Sequence, residues 1–256
     1  MTDRRGILHP DAAERHFRLT RYPPAADLAH LVDRHWVVEW SLAAPYTQEV
    51  VTHPTFHMAF EPDADLIYGV VTKRFRRRLE RSGIVVATKF RPGGFHPFHP
   101  VPAHTLTDRV IPVSDVFAGP PPREGDERER IAAMEALLRA HDPPDDPRVA
   151  EIGALYAAIL ADPGITRVEQ LGALAGCSKR TLQRLFREYV GVTPKWVLQR
   201  VRLHEAAERM AGGERDWAGL ALELGFFDQA HFIKAFKAVI GRSPADYGLH
   251  TDAHGA

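Results

Sequence analysis

Arg180, Gln183, Arg184 and Arg187 stand three and four residues apart in the stretch "KRTLQRLFREY", residues 179–189. Such intervals place side chains on one face of an α-helix, and Leu182, Leu185, Phe186 and Tyr189 form the apolar stripe opposite. The polar set suits the edge of a base pair. Arginine offers a two-pronged fork to guanine O6 and N7, glutamine matches adenine N6 and N7, and a Lys or Arg at the margin neutralises phosphate. One such helix taken alone has an ordinary alternative, because a charged side opposite an apolar stripe is usually just solvated.

A repeat weighs against that alternative. Residues 178–194 moved forward by 50 positions fall on residues 228–244. Ser178 meets Asp228, both helix-capping types, and Leu182 meets Phe232. Arg184 meets Lys234, Phe186 meets Phe236, Arg187 meets Lys237, and Gly191 and Pro194 recur as Gly241 and Pro244. Upstream, "LGALAG" matches "LALELG" at an offset of 49. Each copy reads as a short helix, a glycine turn and a second amphipathic helix, the helix-turn-helix pattern. In the second copy Phe232, Ala235, Phe236 and Val239 make the apolar stripe. Gln229, His231 and Lys234 lead the polar side, with Ala230 and Ile233 available for a thymine methyl. His231 fits a packing role equally well. Residues 194–213, with proline at the first helical position and a Gly-Gly stop, predict a helix connecting the copies.

These units need a frame. The chain has 256 residues, 45% hydrophobic and 26% charged, the balance of a folded soluble protein with room for two domains. No apolar run approaches a membrane span, and the opening "MTDRRGILHPDAAERHF" lacks the apolar stretch of a signal peptide, so a cytoplasmic location is expected. The formal net charge is zero, yet residues 177–202 carry seven Lys and Arg against one acid, Glu188, a local basic face on a neutral chain. The sharpest change of composition is "HDPPDDPR", residues 141–148, which predicts a linker at 142–148 between a domain at 1–141 and another at 149–256. Before it, β-branched and aromatic runs ("LVDRHWVVEW", "HPTFHMAF", "SGIVVATKF") predict antiparallel strands. A short helix is expected at residues 114–119, and Gly93-Gly94 reads as a turn requiring positive φ. The fold class expected is α+β in two domains: an antiparallel β-rich barrel or cupin-like domain followed by an all-α double helix-turn-helix domain.

Residues 171–194 followed by "LALELGFFDQAHFIKAFKAVIGRSPADY" closely resemble the DNA-binding domain of AraC/XylS-type transcriptional regulators, over about residues 151–250. The second signature (Gly225, Phe226, Phe232, Phe236, Lys237, Gly241, Ser243, Pro244, Tyr247) is the more specific. The resemblance implies a seven-helix domain that sets two recognition helices in successive major grooves of double-stranded DNA. Carried over by position, the base-reading candidates are Arg180, Gln183, Arg184, Gln229, His231 and Lys234; the phosphate candidates are Ser178, Lys179, Arg187, Lys237 and Arg200. Ala230 is small where the family often has a polar residue, which implies that the second helix reads fewer bases. "TKFRPGGFHPFHPVPAHTLTDRVIPVSDVFAG", residues 88–119, resembles an uncharacterised sensor-like domain found ahead of some of these regulators, which implies effector binding or dimerisation and names no effector.

Trp36, Trp40, Phe56, Phe60, Tyr68, Phe90, Phe95 and Phe98 are candidates for an effector pocket, the alternative being that they are simply core. Ten of the 14 histidines precede the linker, among them His53, His57, His96, His99 and His104, but their spacing fits neither a zinc finger nor HExxH, and no metal or other cofactor is expected. "KRFRRR", residues 73–78, reads as a solvated strand face, with an anion contact as the alternative. Cys177 excludes an internal disulfide and fits a turn; a thiol switch is the other reading. No nucleophile motif or phosphate-cradling loop is present, so no enzyme is expected. Two rival readings remain: a cupin-like metalloprotein fused to a DNA-binding domain, and a constitutive DNA binder with a dimerisation module.

Overall fold

The computed structural model describes residues 15–247. Residues 1–14, which hold most of the opening stretch 1–17 that lacks a signal-peptide pattern, and residues 248–256 lie outside the described residues. Eight strands precede the helices: β1 (Arg18–Tyr22), β2 (Val32–Ser41), β3 (Tyr46–Val50), β4 (His57–Phe60), β5 (Asp65–Tyr68), β6 (Phe75–Leu79), β7 (Ser82–Phe90) and β8 (Val110–Pro112). Six form an antiparallel sheet in the order β1-β2-β7-β4-β5-β8, and β3 pairs with β6 as a separate ribbon. An open sheet with a ribbon thus stands where a closed barrel was one of the alternatives.

Alternation along β2 explains why the sheet is covered on both sides. His35 and Val37 point to one face, and Arg34, Trp36, Val38 and Trp40 to the other. Against the first face packs α1 (Glu127–Ala140), which starts from a capping box between Asp126 and Glu129 and buries Ile131, Met134, Leu137 and Leu138. Over the second face lies the β3–β6 ribbon. Instead of the expected helix at 114–119 there is a single 3-10 turn at Val113–Asp115. Gly119 at φ 148 ends any continuation. Gly93 has the positive φ expected (83°), whereas Gly94 is needed for space, since a Cβ there would stand 2.1 Å from the Leu31 carbonyl oxygen.

Six helices follow: α2 (Pro147–Ala161), α3 (Val168–Leu174), α4 (Lys179–Tyr189), α5 (Pro194–Ala211), α6 (Trp217–Glu223) and α7 (Gln229–Ile240). A further helical turn begins at Pro244. Their starts follow local chemistry. The Ser178 side chain accepts from the Thr181 N–H at the head of α4, Thr193 from Trp196 at α5, and Asp228 from His231 at α7. One buried apolar cluster runs from the sheet (Val86, Phe90) through α1 and α2 to α4 (Leu182, Phe186) and the start of α5. A second joins the rest of α5 (Leu203, Met210) to α6 and α7 (Phe232, Phe236). The connecting helix α5 therefore belongs to both cores.

The corresponding glycines of the repeat both touch the β-rich half. The Gly191 carbonyl accepts from Thr107 Oγ1 at 2.7 Å, while Gly241 lies against the Arg74 guanidinium. Gly191 has φ 93, and a Cβ there would meet the Ala103 carbonyl oxygen at 3.0 Å. Gly191→Ala is accordingly expected to destabilise the chain by about 1–3 kcal/mol, read as a lowered urea midpoint with unchanged m-value.

Candidate functional site

The two repeated helices present their polar sides to solvent. Ser178, Lys179, Arg180, Gln183, Arg184 and Arg187 are all exposed on α4, whose other side buries Leu182, Leu185 and Phe186. On α7 Gln229, His231, Lys234 and Lys237 are exposed, while Phe232, Ala235 and Phe236 are buried. Ala230 is exposed, Ile233 packs partly against the core, and the His231 ring meets Phe226 edge-on at 5.5 Å. Lys179 also reaches Glu169 of α3 at 2.8 Å, a solvent-exposed pair.

The connecting helix fixes the second copy. Arg202 Nη1 donates to the carbonyls of Leu224 and Gly225, both at 2.9 Å, with its guanidinium over the Phe226 ring at 5.0 Å. Two residues earlier, on the other side of the same helix, Arg200 departs from its expected role. Arg200, a phosphate candidate by position, is only 3% exposed and points into the β-rich half. Arg200 Nη2 donates to the Thr72 carbonyl at 2.9 Å, Nη1 reaches Thr52 Oγ1 at 3.4 Å, and the guanidinium lies 4.4 Å over Trp196. Burial pulls its pKa down to about 10, partly offset by Asp108. A helix long enough to join two units has a side facing each of its neighbours, and the sequence alone did not show which side Arg200 occupies.

Between the large sheet and the β3–β6 ribbon lies a cavity of about 240 Å³. Of the eight aromatic pocket candidates, Trp36, Trp40 and Tyr68 line it. The other five pocket candidates do not: Phe56, Phe60, Phe90, Phe95 and Phe98 are buried core side chains of the cluster on the sheet's opposite face, where Phe56 stacks on Phe95 at 4.8 Å. Strand alternation separates the two sets, so aromatic character alone could not sort them. Beside apolar side chains such as Leu19, Val38 and Val85, the lining includes polar residues not named as pocket candidates, Arg21, Arg34, Gln48, Glu61 and Lys89; His53 and His57, weighed only as metal ligands, and Arg77 of the run given an anion contact as its alternative also line it. Stepping by two from Trp36 back to Arg34, or onward from Val85 to Lys89, carries the signal that would have found some of them.

One segment borders both the cavity and α5. Val51, Thr52 and His53 line the cavity. Val51 also enters the core of the second helix-turn-helix copy. The Thr52 carbonyl accepts from His204 Nε2 at 3.2 Å, and the His53 ring stacks on His204 at 4.2 Å. A carbonyl only accepts, so Nε2 of His204 carries the proton.

Comparison with known proteins covers both halves separately. Residues 171–249 match a family described as a helix-turn-helix domain, and residues 20–112 match a domain family of unknown function, DUF6597. The C-terminal unit is an AraC-type helix-turn-helix domain. An uncharacterised helix-turn-helix-type transcriptional regulator of Haemophilus influenzae is 34% identical over 94 residues, 37% of this chain and 32% of that one. A chain of Streptomyces antibioticus described as an AraC-like transcription regulator is 27% identical over 195 residues, covering 63% and 64%. Among solved structures, ToxT from Vibrio cholerae aligns over 91% of this chain and 98% of its own, with 11% identity and a TM-score of 0.43. The first curated relatives are matched over about a third of their length, 32% to 37%.

The remaining sequence candidates lie elsewhere in the fold. Of the "KRFRRR" run, Arg74 and Arg76 pair with Glu49, Arg77 with Glu61 and Arg78 with Glu80. Cys177 is a free thiol in the turn before α4. His96 stacks on Tyr189 at 4.0 Å, and among the described residues no three His, Cys, Asp or Glu side chains form a metal-holding group. No described helix is long and apolar enough to cross a membrane.

Three enclosed histidines are held neutral. Burial depresses His35 against the pull of Glu135, burial and the neighbouring His204 depress His53 strongly, and burial with Lys89 brings His57 to about 3. Their folded pKa values lie below the ~6.5 of an unfolded chain, so the unfolded state takes up protons first as pH falls. Stability present above that value is lost through the window from ~6.5 towards 3. The melting temperature at pH 5 should fall below that at pH 7.5, and His57→Gln should flatten the slope, by up to about 2 kcal/mol at pH 5. Thermal melts across pH check this.

Proposed function

We propose that the chain is a sequence-specific, DNA-binding transcriptional regulator whose β-rich half holds a small-molecule effector, the two halves dividing at residues 142–148. The observation that carries the reading is the pair of capped helices, α4 and α7, with repeated sequence, buried apolar stripes and exposed Arg, Gln and Lys faces, joined through one helix. Arg180, Gln183 and Arg184 of α4 and Gln229, His231 and Lys234 of α7 read bases; Ser178, Lys179, Arg187 and Lys237 hold phosphates. Arg200 has no part in this set, because its guanidinium is buried against Thr72.

Effector control has a physical route. Segment 51–53 is a single layer between the cavity and α5, and an occupant that displaces it moves Thr52 and His53 against His204 and Arg200. Such an occupant shifts DNA affinity to the extent that it prefers one arrangement of that layer over another.

Genomic footprinting of the bound chain supplies the operator, and titrations across its variants test the assignment. Arg184→Ala should cost roughly 1–3 kcal/mol of discrimination at one base pair, whereas Arg187→Ala should weaken all sequences about equally and reduce the salt dependence. Specific binding untouched by Arg184→Ala would contradict the base-reading role.

A further inference from the structure

The cavity between the sheet and the ribbon is chemically graded. In the sheet register Arg34 pairs with Lys89, Lys89 with His57 and His57 with Tyr68, so these four form one row across β2, β7, β4 and β5. Two residues further along β2 comes Trp36, with Arg21 beside it on β1 and Ala59 on the far side of Ala87. The next row holds Leu19, Val38 and Val85, and Trp40 closes that end with its indole N–H donating to the Glu80 carbonyl at 3.0 Å. At about 3.4 Å per residue the polar row lies roughly 14 Å from the Val38 row. Phe75, Val50 and Leu79 of the ribbon roof the apolar part.

The charges are uneven too. Among the described lining residues Arg21, Arg34, Arg77 and Lys89 are cationic, and Glu61 is the single carboxylate. Glu61 is engaged by Arg77 and accepts from the Tyr68 hydroxyl at 2.6 Å, which makes a closed group at one wall. On the polar row one oxygen of Asp33 serves both Arg34 Nε at 2.9 Å and Lys89 Nζ at 3.2 Å. His57, neutral, adds a hydrogen-bonding ring without charge. A ligand carboxylate entering such a place meets two cations over one protein carboxylate in a poorly hydrated setting, where charge-assisted hydrogen bonds are strong. An ammonium group would be repelled there, and an uncharged group would make no charge-assisted hydrogen bond to the row.

We propose that the cavity takes a small organic acid with an apolar or aromatic body, its carboxylate on the Arg34–Lys89–His57 row and its body between Trp36, Val38 and the ribbon. The proposal rests on the effector reading above and names its chemical class. At about 240 Å³ the space is below the ~300–1,000 Å³ of drug-sized sites, which limits the body to about one ring or a medium chain.

The test uses the full chain and matched probes: 3-phenylpropionate, 3-phenylpropionamide and 3-phenylpropylamine, with octanoate as an aliphatic acid. Calorimetry and tryptophan fluorescence should show an acid binding at least about tenfold more tightly than the amide, and no binding of the amine. Lys89→Met should remove the acid's advantage and leave the amide as it was; the comparison of probes on the unaltered chain needs no variant. Amide or amine binding as tightly as the acids, or no binding by either acid at millimolar concentration, would overturn the acid assignment. Operator titrations with each probe separate the two readings. A neutral compound that binds and shifts DNA affinity sinks the acid class and keeps effector control, whereas an acid that binds without shifting DNA affinity keeps the class and sinks the control.

Discussion

A guanidinium almost cut off from water ties the parts of this chain together. Arg200 leaves the middle of α5 and ends against the Thr72 carbonyl of the β-rich half, with the Trp196 ring beneath it. A buried cation is tolerated only where its donors find acceptors, and here those acceptors belong to the other half. The position of α5 relative to the sheet is set by that requirement. Since α5 also contributes to the cores of both helix-turn-helix copies, the placement of α4 and α7 follows from it. Docking of Gly191 on Thr107 and of Gly241 on Arg74 adds a contact at the far end of each repeated helix. The pair of exposed helices is therefore anchored from behind at three places.

The interface between the halves also includes a thin layer beside the cavity. Segment 51–53 has its side chains shared between the cavity wall and α5, with no further layer between them. A change of less than an ångström on the cavity side reaches a packed helix directly, and packed interfaces answer such changes by switching arrangement more readily than by yielding. His53 and His204, stacked and enclosed, belong to this layer.

The helical half was legible because its information is local and repeated. Caps at Ser178, Thr193 and Asp228, apolar stripes at helical spacing and glycines at matching offsets all sit within short windows, and each has its expected neighbour in the fold. Strands such as β2 and β7 were likewise visible from β-branched and aromatic runs. The side each residue faces across elements was not. Arg200 looked like its basic neighbours because nothing nearby in sequence marks Thr72 as its partner, 128 residues away. Phe90 and Trp36 looked alike because both are aromatic, yet the alternation of the sheet sends one to the core and the other to the cavity. Lys89 and Arg34 went unnoticed because charged residues near strand ends are usually solvated, and only the register of β2 on β7 brings them together. Residues 114–119 have a helix-like composition, but Gly119 leaves them a single turn.

The central claim is that two matched helices, fixed by one buried connecting helix, engage a duplex together. Hydroxyl-radical footprinting of the full chain on its own operator tests this most directly. The account predicts two protected patches on the same face of the DNA, separated by about one helical turn, ~10 base pairs. A single patch, or patches on opposite faces, would contradict it.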